Sequence, residues 1–588
     1  MSEGFHLIIR NGTVIDGTGA APFVADVGLK DGHIAAIGAI QQTGAKEIDA
    51  TGLLVTPGFV DIHTHYDGQV TWDSQLAPSC FHGVTTAVIG NCGVGFAPCK
   101  PQDRDALIRL MDGVEDIPHA ILAEGLSWEW ESFEDFLDLL ASRKYDMDVL
   151  AYVPHAALRV FVMGERATRI EPATAEDVAA MCALFARALD AGAAGLATSR
   201  TLFHKSSDGL PMPTTDASEA ELLALARVMR DKGKGVFQIV EDINLPDADL
   251  DRARRIAAES KRPLTFSMGT SNNGVLKWPQ FLEELGAANA DGLIMKGQII
   301  PRAIGMMLGF ELTLNPFYTT PTYEKLAALP LDARVKELRK PEIRAAILSE
   351  KVDDNPKLPL GRVVQNFTDM FQLGNPPDYE QSPENTIAAR ALAAGVSPQA
   401  LAYDLMLEDN GRGRLYLALA NLRDGSLDAV GQMLRHPDIV LGLGDGGAHV
   451  GTICDASYST YALMHWARDR AAGRFSIAEI VHKMTGATAA IMGLDDRGVI
   501  AIGKQADLNV IDLARLSLYA PEIHYDLPAG GKRLIQRAQG YVATIKSGRV
   551  AYREGEPTGE LPGRLVRVQV FLPRAARARG RQQQKLKG

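Results

Sequence analysis

The chain has 588 residues, 46% of them hydrophobic and 23% charged, with a formal net charge of -11. That gives room for a sizeable core in more than one domain and speaks against a nucleic-acid footprint over the chain as a whole. No apolar run approaches the roughly 20 residues a membrane helix needs, the opening MSEGFHLIIR lacks a secretory leader pattern, and five scattered cysteines make no disulfide framework, so a cytoplasmic globular protein is expected. In chain order, residues 1–54 carry short β-type runs broken by Gly and Asp turns, HLIIRNGTVIDG and VADVGLKDGHIAAIG, and form part of a small β module. Residues 55–494 alternate apolar β-branched runs (GVTTAVIG, DVLAYV, AGLATS, GVFQIV, PLTFSM, GLIMKG, IVLGLG) with Ala- and Leu-rich helical stretches. Strands that each precede a helix imply a parallel sheet buried on both faces, and about eight such units predict an α/β chain folded as a (β/α)8 barrel. Residues 325–430 read as a mainly helical insertion over the barrel mouth. The β pattern resumes over 495–565, in GVIAIGKQADLNVIDL and GYVATIKSGRVAYREG, and is expected to join the N-terminal piece in one β-sandwich. Residues 566–588, ending RAARARGRQQQKLKG, read as a basic disordered tail.

Barrel active sites lie at the C-terminal ends of the strands, so each candidate should end an apolar run. GFVDIHTHYDG, residues 58–68, ends the first strand with His63 and His65. Residues i and i+2 of a strand project to one side, so both imidazoles can face one ion; two satisfied structural histidines are the plainer alternative. GVTTAVIGNCG ends the second strand at Cys92, either a thiolate ligand or a buried apolar thiol. IVLGLGDGGAH ends the eighth at Asp445, whose carboxylate can ligate an ion or take a proton from ion-activated water and pass it to a leaving amine. His449, four residues on, lines the pocket or caps the next helix. Arg302 ends the seventh strand and Arg200 the fourth; either could grip a substrate carboxylate, and a structural role is open for both. WEWESF at 128–133 and IGMMLGF at 304–310 offer an apolar acyl pocket or plain core.

These segments, with NGTVIDGTG, RVFVMGERA and KMTGATAAIMGLDDRGVIAIGKQADLNVIDL, resemble the amidohydrolase superfamily, and within it the D-aminoacylase or N-acyl-D-amino-acid deacylase group, over nearly the whole chain. The resemblance implies hydrolysis of an N-acyl bond by metal-activated water, with the cysteine of GNCG in the place of a metal-bridging carboxylated lysine. It also implies histidines at the ends of the fifth and sixth strands, which this chain lacks: those strands read GVFQIVEDIN and PLTFSMGTSN.

Three readings follow. A relocated site has His63, His65 and Asp445, with Cys92, hold one divalent ion, zinc by its donors, while Gln238, Glu241 or Asp242 supplies polar contacts. A shifted cluster draws on His155 or His204 and leaves His155 to line the substrate pocket. A silent scaffold keeps the fold and serves as an interaction protein. The first is the expectation carried forward, for a hydrolase of a non-peptide C–N bond acting on a small molecule, with no nucleic-acid or membrane partner and with self-association into a homo-oligomer left open. A cyclic amide, carbamoyl or ester substrate is the alternative on the same site.

Overall fold

The computed structural model describes residues 4–242, 250–272, 274, 276–352 and 361–568. Its first five strands, β1 (Leu7–Val14), β2 (Phe23–Lys30), β3 (His33–Gly38), β4 (Glu47–Asp49) and β5 (Leu54–Pro57), precede β6 (Phe59–Asp61). β6 pairs in parallel with β7 (Val84–Ile89), and β7 with β8 (Asp148–Ala151). One residue further on, β9 (Val153–Pro154) begins a second parallel sheet through β10 (Gly195–Ser199), β11 (Val236–Val240), β12 (Leu264–Ser267), β13 (Met295–Ile299) and β17 (Ile439–Leu441). Helices Ala175–Ala191, Glu219–Lys232, Asp251–Ser260 and Trp278–Ala290 fill the successive connections from β9 to β13. In the first sheet, β7 is buried at all of its positions. A parallel bridge between Thr64 and Gly446 ties the segment after β6 to the segment after β17.

Three start signals are satisfied as the sequence pattern requires. Ser132, Thr174 and Ser476 each cap a helix and are answered by Asp135, Asp177 and Glu479 in capping boxes.

Between β13 and β17 the chain makes a separate apolar nucleus. β14 (Ile304–Leu308), β15 (Met370–Phe371) and β16 (Leu415–Ala420) form an antiparallel sheet in the order β14-β16-β15. Helices pack on it around Phe310, Phe317, Tyr323 and Tyr403. The region read as mainly helical is so, but it stands on a sheet that begins at Ile304; the run IGMML is a strand that leaves the parallel layer and turns antiparallel. Part of the region, residues 353–360, lies outside the described residues.

The terminal β segments, expected to make a β-sandwich, pair within one nine-stranded sheet. β18 (Leu508–Ile511) pairs antiparallel with β5, Val510 opposite Val55, and Tyr541–Lys546 pairs with β18. Their inward residues, among them Ile9, Val27, Val55, Leu508 and Val510, make a core of their own. Residues 566–568, assigned to the tail from sequence, are held to the body: Val566 N donates to Val149 O at 2.8 Å and Val568 N to Gly192 O at 3.0 Å. Residues 569–588, the rest of that tail, lie outside the described residues. Among the described residues no helix is long and apolar enough to cross a membrane.

A buried charge cluster links this terminal sheet to the parallel strands. Lys546 Nζ lies 2.8 Å from Asp148 Oδ2 and 2.9 Å from Asp507, and Arg497 pairs with Asp148 as well. Burial alone would raise the Asp148 carboxyl, but the adjacent Lys546 and Arg497 charges outweigh it and hold it below the ordinary carboxylate range. A carboxyl depressed on folding stabilises above its unfolded pKa, and that contribution is lost as pH falls through its folded value. Asp148→Asn should therefore cost about 3–5 kcal/mol at neutral pH, since it leaves buried cations short of a partner. The gap in urea midpoint between wild type and variant should close as the pH is lowered into the acid range; a gap independent of pH would show that the charge of Asp148 is not what matters.

Candidate metal centre and active site

β6 ends at Asp61, and the next residues turn over the end of the parallel layer under tight backbone control. Thr64 N donates to Val88 O at 3.1 Å, His65 N to Gly446 O at 2.8 Å, and Asp445 N to His63 O at 3.2 Å. The ends of β6, β7 and β17 are thus stitched together at the place where their side chains converge. Asn91 adds Nδ2 donations to Val88 O at 2.8 Å and Thr64 O at 3.2 Å. Gly90, at φ +83°, turns the chain out of β7; a Cβ there would sit 2.5 Å from Tyr152 O. Cys92 itself holds φ +55°, and Leu443, Asp445 and His449 hold +60°, +44° and +51°. Left-handed backbone is costly for non-glycine residues, and four around one cavity mark a place where side-chain aim overrides backbone preference.

His63, His65 and Cys92 present donor atoms all within 4.8 Å of one another. His63 Nε2 lies 3.3 Å from Cys92 Sγ and 3.5 Å from Asp445 Oδ1, and His65 Nε2 lies 3.6 Å from the same oxygen. Zinc bonds of about 2.0–2.3 Å arranged tetrahedrally put their ligands about 3.3–3.7 Å apart; His63, His65 and Cys92 form the three-donor group that could hold one ion, and Asp445, close to both imidazoles, stands outside that group. Each imidazole is also held from behind. His63 Nδ1 donates to Gln298 Oε1 at 3.0 Å, and Gln298 Nε2 donates to Thr265 Oγ1 at 2.9 Å. Glu115 Oε1 lies 3.3 Å from His65 Nδ1, close but off the line of a good hydrogen bond. Gln298 on Nδ1 of His63 and the Glu115 carboxylate near Nδ1 of His65 leave both Nε2 atoms facing the centre.

Electrostatics agree with a site built around positive charge. Burial pushes the Cys92 thiol up to about 12 and lowers His63 to about 4. His65, although burial opposes it, is raised by Glu115 and Asp445. Burial likewise opposes ionisation of Asp445, yet the surrounding histidines hold it far below the ordinary carboxylate range. A divalent ion would satisfy the thiolate and the carboxylate together.

Above the cluster lies a cavity of about 140 Å³. Glu115, His204 and His449 line it beside the ligand set, and Val240, Ser267, Ile300, Ile304, Leu443 and Asp455 complete the wall. Val240 and Ser267 end β11 and β12, the strands that lack histidine. Glu115 was not legible from sequence: it belongs to helix Arg104–Glu115, far from any strand end, and reaches both His65 and, at 3.4 Å, His449 Nε2. His204 stands over the cavity with Nδ1 2.9 Å from Ser199 Oγ, but it is not part of the tight donor cluster.

Several expected roles do not match the placement found. Arg302 is fully buried, ion-paired through Nη2 with Asp455 and stacked 4.0 Å over the Tyr379 ring, and it does not line the cavity, although its Nε and Nη1 have no hydrogen-bond partner. Arg200 donates to Ala217 O and does not line the cavity. His155 is locked between Thr198 Oγ1 and Glu221 Oε1, both at 2.9 Å, and serves the core. Of the strand-five residues, Gln238 accepts from Cys92 N at 3.1 Å and so positions the cysteine turn. Glu241 pairs with Arg252, and Asp242 accepts from Thr201 and Leu202. Trp128 and Trp130 stack with Phe96 and Phe136 as core, while Ile304 alone of its run reaches the cavity.

Two histidines, a cysteine and a carboxylate gather just beyond the C-terminal ends of the parallel strands β6, β7 and β17. Residues 46–552 match the amidohydrolase family, and the chain belongs to that family. It is 27% identical to a D-aminoacylase of Alcaligenes xylosoxydans xylosoxydans, over 96% of this chain and 98% of that one. It is 26% identical to an N-acyl-D-aspartate deacylase of the same organism, over 95% and 94%. A crystal structure of D-aminoacylase matches with a TM-score of 0.63 at 25% identity, covering 96% of this chain and 100% of the other.

Cys92→Ser should lose zinc to a chelator that leaves the wild type loaded, because a neutral hydroxyl is a far poorer zinc donor than a thiolate. Glu115→Gln should weaken zinc affinity by about 10- to 100-fold through the looser His65 ring. Unchanged zinc retention in Cys92→Ser, with only a lower melting temperature, would make that residue a packed thiol and no ligand.

Proposed function

We propose that the protein binds one divalent ion, zinc by its donor set, through His63 Nε2, His65 Nε2 and Cys92 Sγ with Asp445 beside it, and hydrolyses the C–N bond of a small N-acyl compound. The observation that carries this is the approach of three donor types to 3.3–3.6 Å around one point in a fold whose relatives are amidohydrolases. When bound, such an ion lowers the pKa of a coordinated water and polarises the acyl carbonyl. The chain's own groups supply the rest. Gln298 and Glu115 fix the two imidazole rings, and Gln238 holds the Cys92 turn. Asp445 can accept a proton on its carboxylate and return it to the departing nitrogen, which must leave as a neutral amine. His449, held by Glu115, faces the same cavity and is placed to orient the acyl oxygen.

The relatives are named for N-acyl-D-amino acids. From them this reading takes the N-acyl bond; the other half of the substrate is a matter of the cavity's own chemistry. A binding-only scaffold is opposed by the left-handed backbone at Cys92 and Asp445, a cost that packing alone does not require. The same reading closes the two parallel sheets into one (β/α)8 barrel, supported by the run of β8 into β9 and by the Thr64–Gly446 bridge, with residues 1–54 and 495–565 as its companion β domain.

Asp445→Asn should keep its fold and most of its zinc but lose about 100- to 10,000-fold in kcat, since an amide cannot accept the proton. The check is turnover of a panel of N-acyl compounds alongside zinc content. Activity within a few-fold of wild type would place the base elsewhere, Glu115 being the next carboxylate in the cavity.

A further inference from the structure

The cavity's wall is specific about charge. Opposite the donor cluster it is made of Val240, Ile300, Ile304 and Leu443, with Ser267 the one hydroxyl. Arg302 does not line the cavity: its Nη2 pairs with Asp455, its Nε and Nη1 are buried without a hydrogen-bond partner, and the group of that pair that shows to the cavity is the carboxylate. Among the described residues no lysine or arginine lines this space. With an ion in place, its two charges are matched by the Cys92 thiolate and the Asp445 carboxylate, leaving none over for a substrate anion.

The entrance continues the apolar character. The segment that brings His204 into the wall leaves Leu202 59% and Phe203 88% exposed, and Leu210 across the Lys205–Pro211 bridge is 48% exposed. Three large apolar side chains in solvent on one loop beside a cavity are a surface for an apolar ligand portion.

We propose that the substrate is an N-acyl amide whose amine half carries no carboxylate: an uncharged compound with apolar substituents lying along Val240, Ile304 and the Leu202–Phe203 lip. This rests on the hydrolase reading above and narrows its substrate class. A carboxylate entering here would give up water, face Asp445 and Asp455, and meet carbon where a guanidinium would be needed. The neutral compound loses little hydration and gains apolar burial.

The test uses the zinc-loaded full-length protein and matched pairs, N-acetyl-leucine and N-acetyl-leucinamide in both enantiomers. The amide should exceed the free acid in kcat/KM by at least about tenfold, and Val240→Arg, or Ser267→Lys if the first variant does not fold, should move that ratio toward the acid by about tenfold or more. Calorimetric binding of the same pairs reads the preference without turnover. Tighter binding of the amide with no hydrolysis of either compound would sink the hydrolase reading and leave the charge preference standing. An acid preferred in either readout, binding of neither compound, or a ratio unmoved by the new cation would overturn the proposal.

Discussion

The close approach of His63, His65, Cys92 and Asp445 is the constraint on which the rest of the structure depends. Polar groups 3.3–3.6 Å apart do not assemble by their own attraction in a buried space; they must be held there by the frame. The frame does this at backbone level, where β6, β7 and β17 exchange hydrogen bonds one or two residues from each donor. Left-handed residues at Cys92 and Asp445 then set the final aim, each at a cost of about 1–3 kcal/mol. Such strain persists only when the surroundings over-determine it. Here they do: β7 is buried throughout, and the Asp148, Arg497 and Lys546 cluster anchors the neighbouring β8 to the terminal sheet.

The strands on the far side of the centre have a different chemistry. β11, β12 and β13 contribute Gln238, Thr265 and Gln298: Gln238 accepts from Cys92 N, and Gln298 accepts from His63 Nδ1 and donates to Thr265 Oγ1. Where two further ligands would have widened the site, Val240 and Ser267 present a methyl-lined wall with one hydroxyl.

The apolar runs bounded by turn residues located all the parallel strands, because a strand buried on both faces leaves a continuous hydrophobic trace. His63, His65, Cys92 and Asp445 were legible for the same reason, each following such a run. Glu115 was not, since its helix carries no strand signal and its role depends on how that helix packs over His65. Arg302 and His155 misled because position at a strand end says nothing of direction: Asp455 and Glu221, distant in sequence, turn both side chains inward. The strand at Ile304, in a run read as an acyl pocket or plain core, was not legible because its partner Leu415–Ala420 lies more than a hundred residues away. Ion pairs across the fold were not readable.

The most direct test of a single centre with a sulfur ligand is X-ray absorption at the zinc edge of the loaded full-length protein. The account predicts nitrogen and oxygen scatterers at about 2.0–2.1 Å, one sulfur at about 2.3 Å, and no metal–metal contribution. An inner sphere of nitrogen and oxygen alone, or a second metal nearby, would contradict it.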